Sequence, residues 1–374
     1  MRIAVLDIAA SKTGALSVLQ DFAAYVKKNV SEHEWFFVTG AEGLLEESPD
    51  APDFHVIVRS DVKRSKVHRL AFDSVHGASF LAGIEPDVIL SMQNTLPKGA
   101  ERIRKTDGTK VRTVLYVHQP LGFQDTKRFS FIRSGERELA MYQYLIAANI
   151  DKSVKTADHV IVQTDWMKRA VMDKDRIPEE RISAVLPDVE NLSGFRDMSL
   201  SWKNGNFIFP AGPIYYKNHS AIVKASRMLR EEGITGFKTG FTLEASDLPW
   251  IDESEKNDQT IEWLGSLPRA ELMRRYQTST LIFPSYIETF GYPPAEARQF
   301  GVPILAADTP FTREVLHGYE NAWYFDPFKP EELADLMKKV ILGEIIPVEP
   351  IFTADMESSW GKVVSILTET EGKR

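Results

Sequence analysis

Glu288 and Glu296 flank a Phe-Gly pair in the segment Phe283-Pro284-Ser285-Tyr286-Ile287-Glu288-Thr289-Phe290-Gly291-Tyr292-Pro293-Pro294-Ala295-Glu296. An ionised carboxylate only accepts hydrogen bonds, so two at this spacing suit hydroxyl recognition, one at a sugar and one at a ribose. The apolar run ends at Pro284, a polar loop and Gly291 follow, and prolines mark the first turn of a helix. Backbone N–H groups at a helix start cradle a pyrophosphate, and a glycine lets the backbone approach it closely. The same residues also fit a plain loop carboxylate at 288 and a solvated first-turn glutamate at 296.

A second segment, Phe209-Pro210-Ala211-Gly212-Pro213-Ile214-Tyr215-Tyr216-Lys217-Asn218-His219, runs from a strand through a glycine loop to a lysine close to the next helix. Lys217 is a compact positive charge for a diphosphate leaving group; a solvated surface lysine is the bland alternative. His118 follows the β-branched run 111–117 and, at the end of a central strand, points toward a crevice. A packed loop histidine with a satisfied ring fits equally well. Ser11-Lys12-Thr13-Gly14 is the other candidate loop: Gly14 lets a phosphate or acceptor approach, or simply turns the chain from strand to helix. No Gly-x-Gly-x-x-Gly or Walker motif occurs, which removes the usual support for dinucleotide and ATP sites. The basic residues Lys63, Arg64, Lys66, His68 and Arg69, with Lys127 and Arg128, read first as solvated faces and second as a site for an anionic acceptor or lipid headgroup.

The elements that position these groups repeat a βα pattern. Strands are predicted at 3–8, 35–38, 54–58, 86–91, 111–117 and 159–162, with helices at 16–28, 63–81 and 136–156. Residues 187–205 are polar and turn-rich and read as a linker. The pattern then restarts, with strands at 207–209, 237–243, 261–265, 280–283, 302–306 and 322–325 and helices at 220–232, 271–276, 293–300 and 330–342. Short apolar runs separated by helices rather than hairpin turns indicate parallel sheets covered on both faces. The architecture expected is α/β, with two doubly wound domains and the functional groups beyond the C-terminal ends of the strands.

The acidic segment resembles the Glu-x7-Glu motif of the retaining glycosyltransferases of family 4, the glycosyl transferases of group 1, and the resemblance extends to Gly301-Val302-Pro303-Ile304-Leu305-Ala306. It implies the GT-B fold, two Rossmann-like αβα domains facing across a cleft: residues 1–190 for the acceptor and 200–355 for the nucleotide sugar. It further implies a closing helix at 356–374 that packs back on the first domain, with Ser359-Trp360-Gly361-Lys362-Val363-Val364 in it. By the same resemblance Glu288 contacts the donor sugar and Glu296 the ribose. The backbone of Thr289, Phe290, Gly291 and Tyr292 meets the phosphates, Lys217 in its Gly212 loop neutralises the diphosphate, and His118 lines the reaction centre. Two departures stand out. Many relatives carry an arginine several residues before the lysine, where this chain has Gly212-Pro213, and two adjacent glycines in the first loop, where only Gly14 is present.

Bulk properties narrow the alternatives. The chain has 374 residues, enough for two cores, and 43% apolar with 26% charged residues suits a folded globular protein. A net charge of −8 argues against general nucleic-acid binding. There are no cysteines, which removes disulfides, thiolate catalysis and cysteine metal sites. No histidine cluster is present, and a metal-independent reaction is expected, with the nucleotide sugar as co-substrate and no other cofactor. No signal-peptide pattern and no run of eighteen apolar residues occurs. A cytoplasmic enzyme is expected, and a peripheral role at the inner membrane stays open. Family analogy points to a saccharide or lipid-linked acceptor in polysaccharide or lipopolysaccharide assembly. The rivals are a catalytically degenerate nucleotide-sugar-binding or scaffolding protein and a nucleotide-sugar epimerase of the same architecture.

Overall fold

The computed structural model describes residues 1–10, 14–133, 135–348 and 359–369. The apolar runs pair into two all-parallel sheets. The first contains β1 (Arg2–Asp7), β2 (Glu34–Thr39), β3 (Phe54–Val58), β4 (Val88–Ser91), β5 (Arg112–Val117), β6 (His159–Val162) and β7 (Ile182–Ala184), in the order β3-β2-β1-β4-β5-β6-β7. The second contains β8 (Asn206–Phe209), β9 (Lys238–Phe241), β10 (Ile261–Trp263), β11 (Thr280–Phe283), β12 (Ile304–Ala307) and β13 (Ala322–Phe325), in the order β10-β9-β8-β11-β12-β13. Strand order reverses between β1 and β4 in one sheet and between β8 and β11 in the other. Loops diverge at such a point and leave a crevice beyond the strand ends, where ligands of doubly wound sheets bind.

Alternation along β1 shows how the first sheet is covered. Ile3 and Val5 enter one apolar cluster with Phe22 and Trp35, while Ala4 and Leu6 enter the opposite one with Leu115 and Val160. In the second sheet Phe207, Ile208 and Phe209 are all buried, as a strand covered on both faces requires. The two compact units are Met1–Phe123 with Met141–Asp188 and Met356–Arg374, and Gln124–Ala140 with Val189–Asp355.

Three local differences from the sequence reading have physical causes. The helix expected at 63–81 is interrupted: Ser65 is extended and its side chain caps a new helix, Lys66–Ala71, by accepting from the His68 N–H, and a π-turn at Phe72–His76 follows. The stretch 187–205 is fastened down rather than free. Leu192 is buried, and its N–H donates to the Gln299 Oε1 at 3.0 Å. The helix Pro310–Val315, not expected from sequence, starts at a capping box of Thr309 and Thr312. The final helix described, Ser359–Thr368, buries Trp360, Val363 and Leu367, and the Trp360 ring lies 5.0 Å from that of Phe22.

Candidate functional site

In the second unit, β8 and β11 are neighbours, so the two loops leaving their C-terminal ends lie side by side. The first passes through a 3-10 turn, Tyr215–Lys217, to Asn218, which takes a left-handed conformation (φ 63°) ahead of the helix His219–Glu231. The second is the acidic motif. Three bonds join them or hold them in place. The Tyr286 N–H donates to the Tyr216 carbonyl at 3.2 Å, and the Asn218 amide donates to the carbonyls of Pro284 at 3.3 Å and Pro327 at 2.7 Å. Lys217 Nζ thereby reaches Glu288 Oε1 in an ion pair whose members are only 19% and 15% exposed. Neither residue is the freely solvated side chain of the bland reading. A positive and a negative group are held together at the strand-order reversal, where a polar ligand can engage both.

Glu296 lies inside the helix Tyr292–Ala297 and is buried, not solvated. Its Oε1 accepts from Arg269 at 2.6 Å and its Oε2 from the Tyr276 hydroxyl at 3.0 Å. Burial raises its pKa above the usual carboxylate value, against the pull of Arg269. Arg269 also donates to Glu190 at 2.8 Å, so one guanidinium bridges two carboxylates. The sequence reading passed over Arg269 and Tyr276. Their positions, at the start of and within the helix Arg269–Thr278, carry no spacing signal toward Glu296.

Gly291 caps that short helix with φ +100°, and a Cβ there would sit 3.3 Å from the Phe283 ring, so both conformation and space require glycine. The backbone of Thr289, Phe290, Gly291 and Tyr292 forms the turn between the two glutamates, with the Phe290 ring edge-on to Tyr292 at 5.3 Å. Gly212 has open space where a Cβ would be. Its loop lacks the arginine of relatives; a basic group packed nearby is Lys127, 4.3 Å over the Tyr215 ring and ion-paired with buried Glu136 at 3.0 Å. His219 sits buried between Phe209 and Phe241, and burial, with the nearby Lys217 charge, lowers its pKa to about 3. A surface hollow lined by Asn206, Lys238, Glu262 and Arg275 lies at the opposite, N-terminal edge of this sheet.

In the first unit the adjacent strands β1, β4 and β5 deliver polar groups to one edge. His118 immediately follows β5. Its backbone N–H donates to Asn94 Oδ1 at 2.7 Å, and its ring Nε2 lies 3.2 Å from Asn94 Nδ2. Its Nδ1 has no partner among the described residues, so the ring is half satisfied, and burial lowers its pKa to about 4. Asp7 ends β1 almost fully buried; Oδ1 accepts from the Ala10 N–H at 3.0 Å, Oδ2 has no partner among the described residues, and burial raises its pKa to about 6. Gln93 Oε1 accepts from the Ile8 N–H at 3.3 Å. Asp7, Gln93 and Asn94 were not singled out from sequence, because isolated polar residues at strand ends match no motif. Of the first loop, Ser11, Lys12 and Thr13 lie outside the described residues, and Gly14 opens the helix Gly14–Asn29. In the basic run Lys63 donates to the Ala10 carbonyl at 2.6 Å and Arg69 pairs with Asp73 at 2.7 Å, while Arg64, Lys66 and His68 are exposed. Among the described residues no group of three His, Cys, Asp or Glu side chains is arranged to hold a metal ion.

Known proteins resemble this chain in sequence and fold. Residues 203–351, which include Lys217 and both glutamates, match the family model described as glycosyl transferases group 1. The O-antigen chain mannosyltransferase RfbU of Salmonella typhimurium is 24% identical over 189 residues, 50% of this chain and 52% of that protein. The match thus spans about half the length of that curated relative. Three solved structures are similar over nearly the whole chain. WaaG, a glycosyltransferase involved in lipopolysaccharide biosynthesis, aligns with a TM-score of 0.66 at 14% identity, covering 99% of this chain and 100% of that one. The lipopolysaccharide outer core galactosyltransferase WaaB aligns at 0.63 and 16%, covering 92% of each. Anabaena Alr3699/HepE in complex with UDP and glucose aligns at 0.63 and 16%, covering 91% and 90%. Residues 203–351 are thus similar to the glycosyl transferases of group 1, and over its length the chain has the GT-B fold of these solved glycosyltransferases.

Proposed function

We propose that this chain is a retaining glycosyltransferase that moves a sugar from a nucleotide-diphosphate sugar, with UDP or GDP as the carrier, to a saccharide or lipid-linked saccharide in cell-surface polysaccharide or lipopolysaccharide assembly. The observation that carries the reading is the Lys217–Glu288 pair at the strand-order reversal of the family-matched unit. In this reading Glu288 accepts hydrogen bonds from hydroxyls of the donor sugar, and Glu296, oriented by Arg269 and Tyr276, accepts them from the ribose hydroxyls. The turn Thr289–Tyr292 and Lys217 face the diphosphate. As the glycosidic bond breaks, negative charge grows on the leaving phosphate and is met by the lysine, while the sugar gains oxocarbenium character. The leaving phosphate takes the acceptor proton and the acceptor oxygen attacks the face it left, so configuration is kept. Lys217 supplies the charge compensation, so turnover is expected to survive chelation of divalent metals.

The same reading has the protein working in the cytoplasm, with a lipid-linked acceptor reached at the inner membrane surface. No described helix is long and apolar enough to cross a membrane. Val67 and Leu70, 74% and 64% exposed beside Arg64 and Lys66, suit contact with an anionic lipid surface.

The test is calorimetry of the purified chain against UDP-, GDP-, ADP-, CMP- and dTDP-sugars, followed by transfer with the donor that binds and assignment of the product anomer by NMR. Saturable binding of one donor and a product with the donor's anomeric configuration are expected. An inverted product would overturn the retaining mechanism. Binding without transfer to any saccharide would favour the degenerate nucleotide-sugar-binding reading.

A further inference from the structure

Asn94 lies just beyond β4 in the left-handed region, with φ +65°. Asparagine tolerates that conformation better than most residues, so a turn role alone would explain its presence. Its side chain does more. The backbone N–H of His118 is a donor and finds its acceptor in Asn94 Oδ1 at 2.7 Å. That bond fixes which end of the amide is which: with the amide reversed, an NH2 group would face an N–H group and neither would be satisfied. The other end, Nδ2, lies 3.2 Å from the His118 ring Nε2, and an amide nitrogen only donates. Nε2 must therefore carry the lone pair. A neutral imidazole has one proton, and it is left on Nδ1, the ring atom with no partner among the described residues.

We infer that Asn94 is a positioning residue that holds His118 as the neutral Nδ1–H tautomer and so presents a fixed hydrogen-bond donor to an oxygen of the bound sugar. The ligand half of this inference rests on the donor-sugar reading above; the tautomer half does not. A ring held this way cannot use Nε2 as a base, because its lone pair is committed to Asn94. A buried N–H without a protein acceptor is costly, by the desolvation of one donor, and a ligand oxygen relieves that cost. The depressed basicity of the ring accords with a group that works uncharged.

The experiment uses the full chain with 15N-labelled histidine. Long-range 1H–15N correlations at neutral pH should show a protonated Nδ1 and an unprotonated Nε2 for His118, assigned by its absence in His118→Gln. Asn94→Asp keeps an acceptor for the His118 backbone N–H but replaces the donor with a second acceptor, so the proton should move to Nε2 and the ring should become more basic. Asn94→Gly keeps the left-handed backbone, removes both bonds and should give a mixture of tautomers. Protonated Nε2 in the parent protein, or an unchanged spectrum in Asn94→Asp, would overturn the tautomer. Calorimetry then decides the ligand half. Asn94→Asp should bind the nucleotide sugar about tenfold more weakly, the loss of roughly one hydrogen bond, while binding the bare nucleotide diphosphate as the parent does. Equal affinity for the nucleotide sugar overturns the ligand half. If the parent binds no nucleotide sugar, the functional reading fails and takes the ligand half with it, while the spectrum still decides the tautomer.

Discussion

Lys217 and Glu288, separated by 71 residues in the chain, form an ion pair that ties the loop after β8 to the loop after β11. The pair holds the two charged ends together with both side chains largely buried. Lys217→Ala and Glu288→Ala are each expected to lower kcat by about 100-fold, the size of effect seen when a charge-stabilising group is lost. Because the two touch, the double variant should lose much less than the product of the single losses. Steady-state kinetics of the four proteins checks this; strictly multiplicative losses would show that the pair does not act as a unit.

Arg269 bridges Glu190 and Glu296, and the buried Glu296 carboxylate depends on it. Arg269→Ala would leave that carboxylate, among the described residues, with the Tyr276 hydroxyl as its hydrogen-bond donor. The expected outcome is a stability loss of about 1–3 kcal/mol and weaker binding of the nucleotide, since Glu296 would turn or take up a proton. Tyr276→Phe should have the smaller effect of the two. Denaturant melts and nucleotide titrations distinguish them, and an Arg269→Ala protein as stable as its parent would refute the dependence.

Gly291 should tolerate no other residue. Its φ of +100° and the Phe283 ring 3.3 Å from an added Cβ make Gly291→Ala costly by about 1–2 kcal/mol. Thermal melts and donor binding should both fall, because the turn between Glu288 and Glu296 must shift.

These three sites differ in how far the sequence disclosed them. Glu288, Gly291 and Glu296 were legible because a strand, a turn and a helix in fixed succession force a fixed spacing, and Lys217 because it ends the corresponding loop of β8. The two parallel sheets followed from the same alternation of apolar runs and helices. Arg269, Tyr276 and Asn94 were not legible. Each reaches its partner through tertiary folding from a different element, and nothing in local spacing records that approach. The break at Ser65 was missed for a related reason: a serine reads as a helix residue or a cap according to a backbone angle that the neighbouring residues do not dictate.

The buried His219 should make stability sensitive to acid. Its folded-state pKa is about 3 against an ordinary 6.5, so the unfolded chain takes up the proton first. Stability is therefore lost as pH falls from about 6.5 toward 3. His118, at about 4, acts in the same direction, whereas Asp7, raised from 3.8 to about 6, gains stability as pH falls through its own window. His219→Phe removes the first contribution at similar volume. Its melting temperature should drop less between pH 7 and pH 4 than that of the parent, and parallel curves would show that His219 is not the group responsible.

The helix Ser359–Thr368 completes the first unit rather than the second. Trp360 lies 5.0 Å from Phe22 and 6.2 Å from Tyr116, the Ser359 N–H donates to Asp188 at 2.7 Å, and Arg112 donates to the Glu369 carbonyl at 3.2 Å. On the ribosome, the residues that seal the opening core are therefore made after the whole of the other unit. A nascent chain can finish its second sheet while the first still has an open apolar face beside Phe22. A premature stop near residue 355 would therefore harm the distant beginning of the protein more than the part next to the stop.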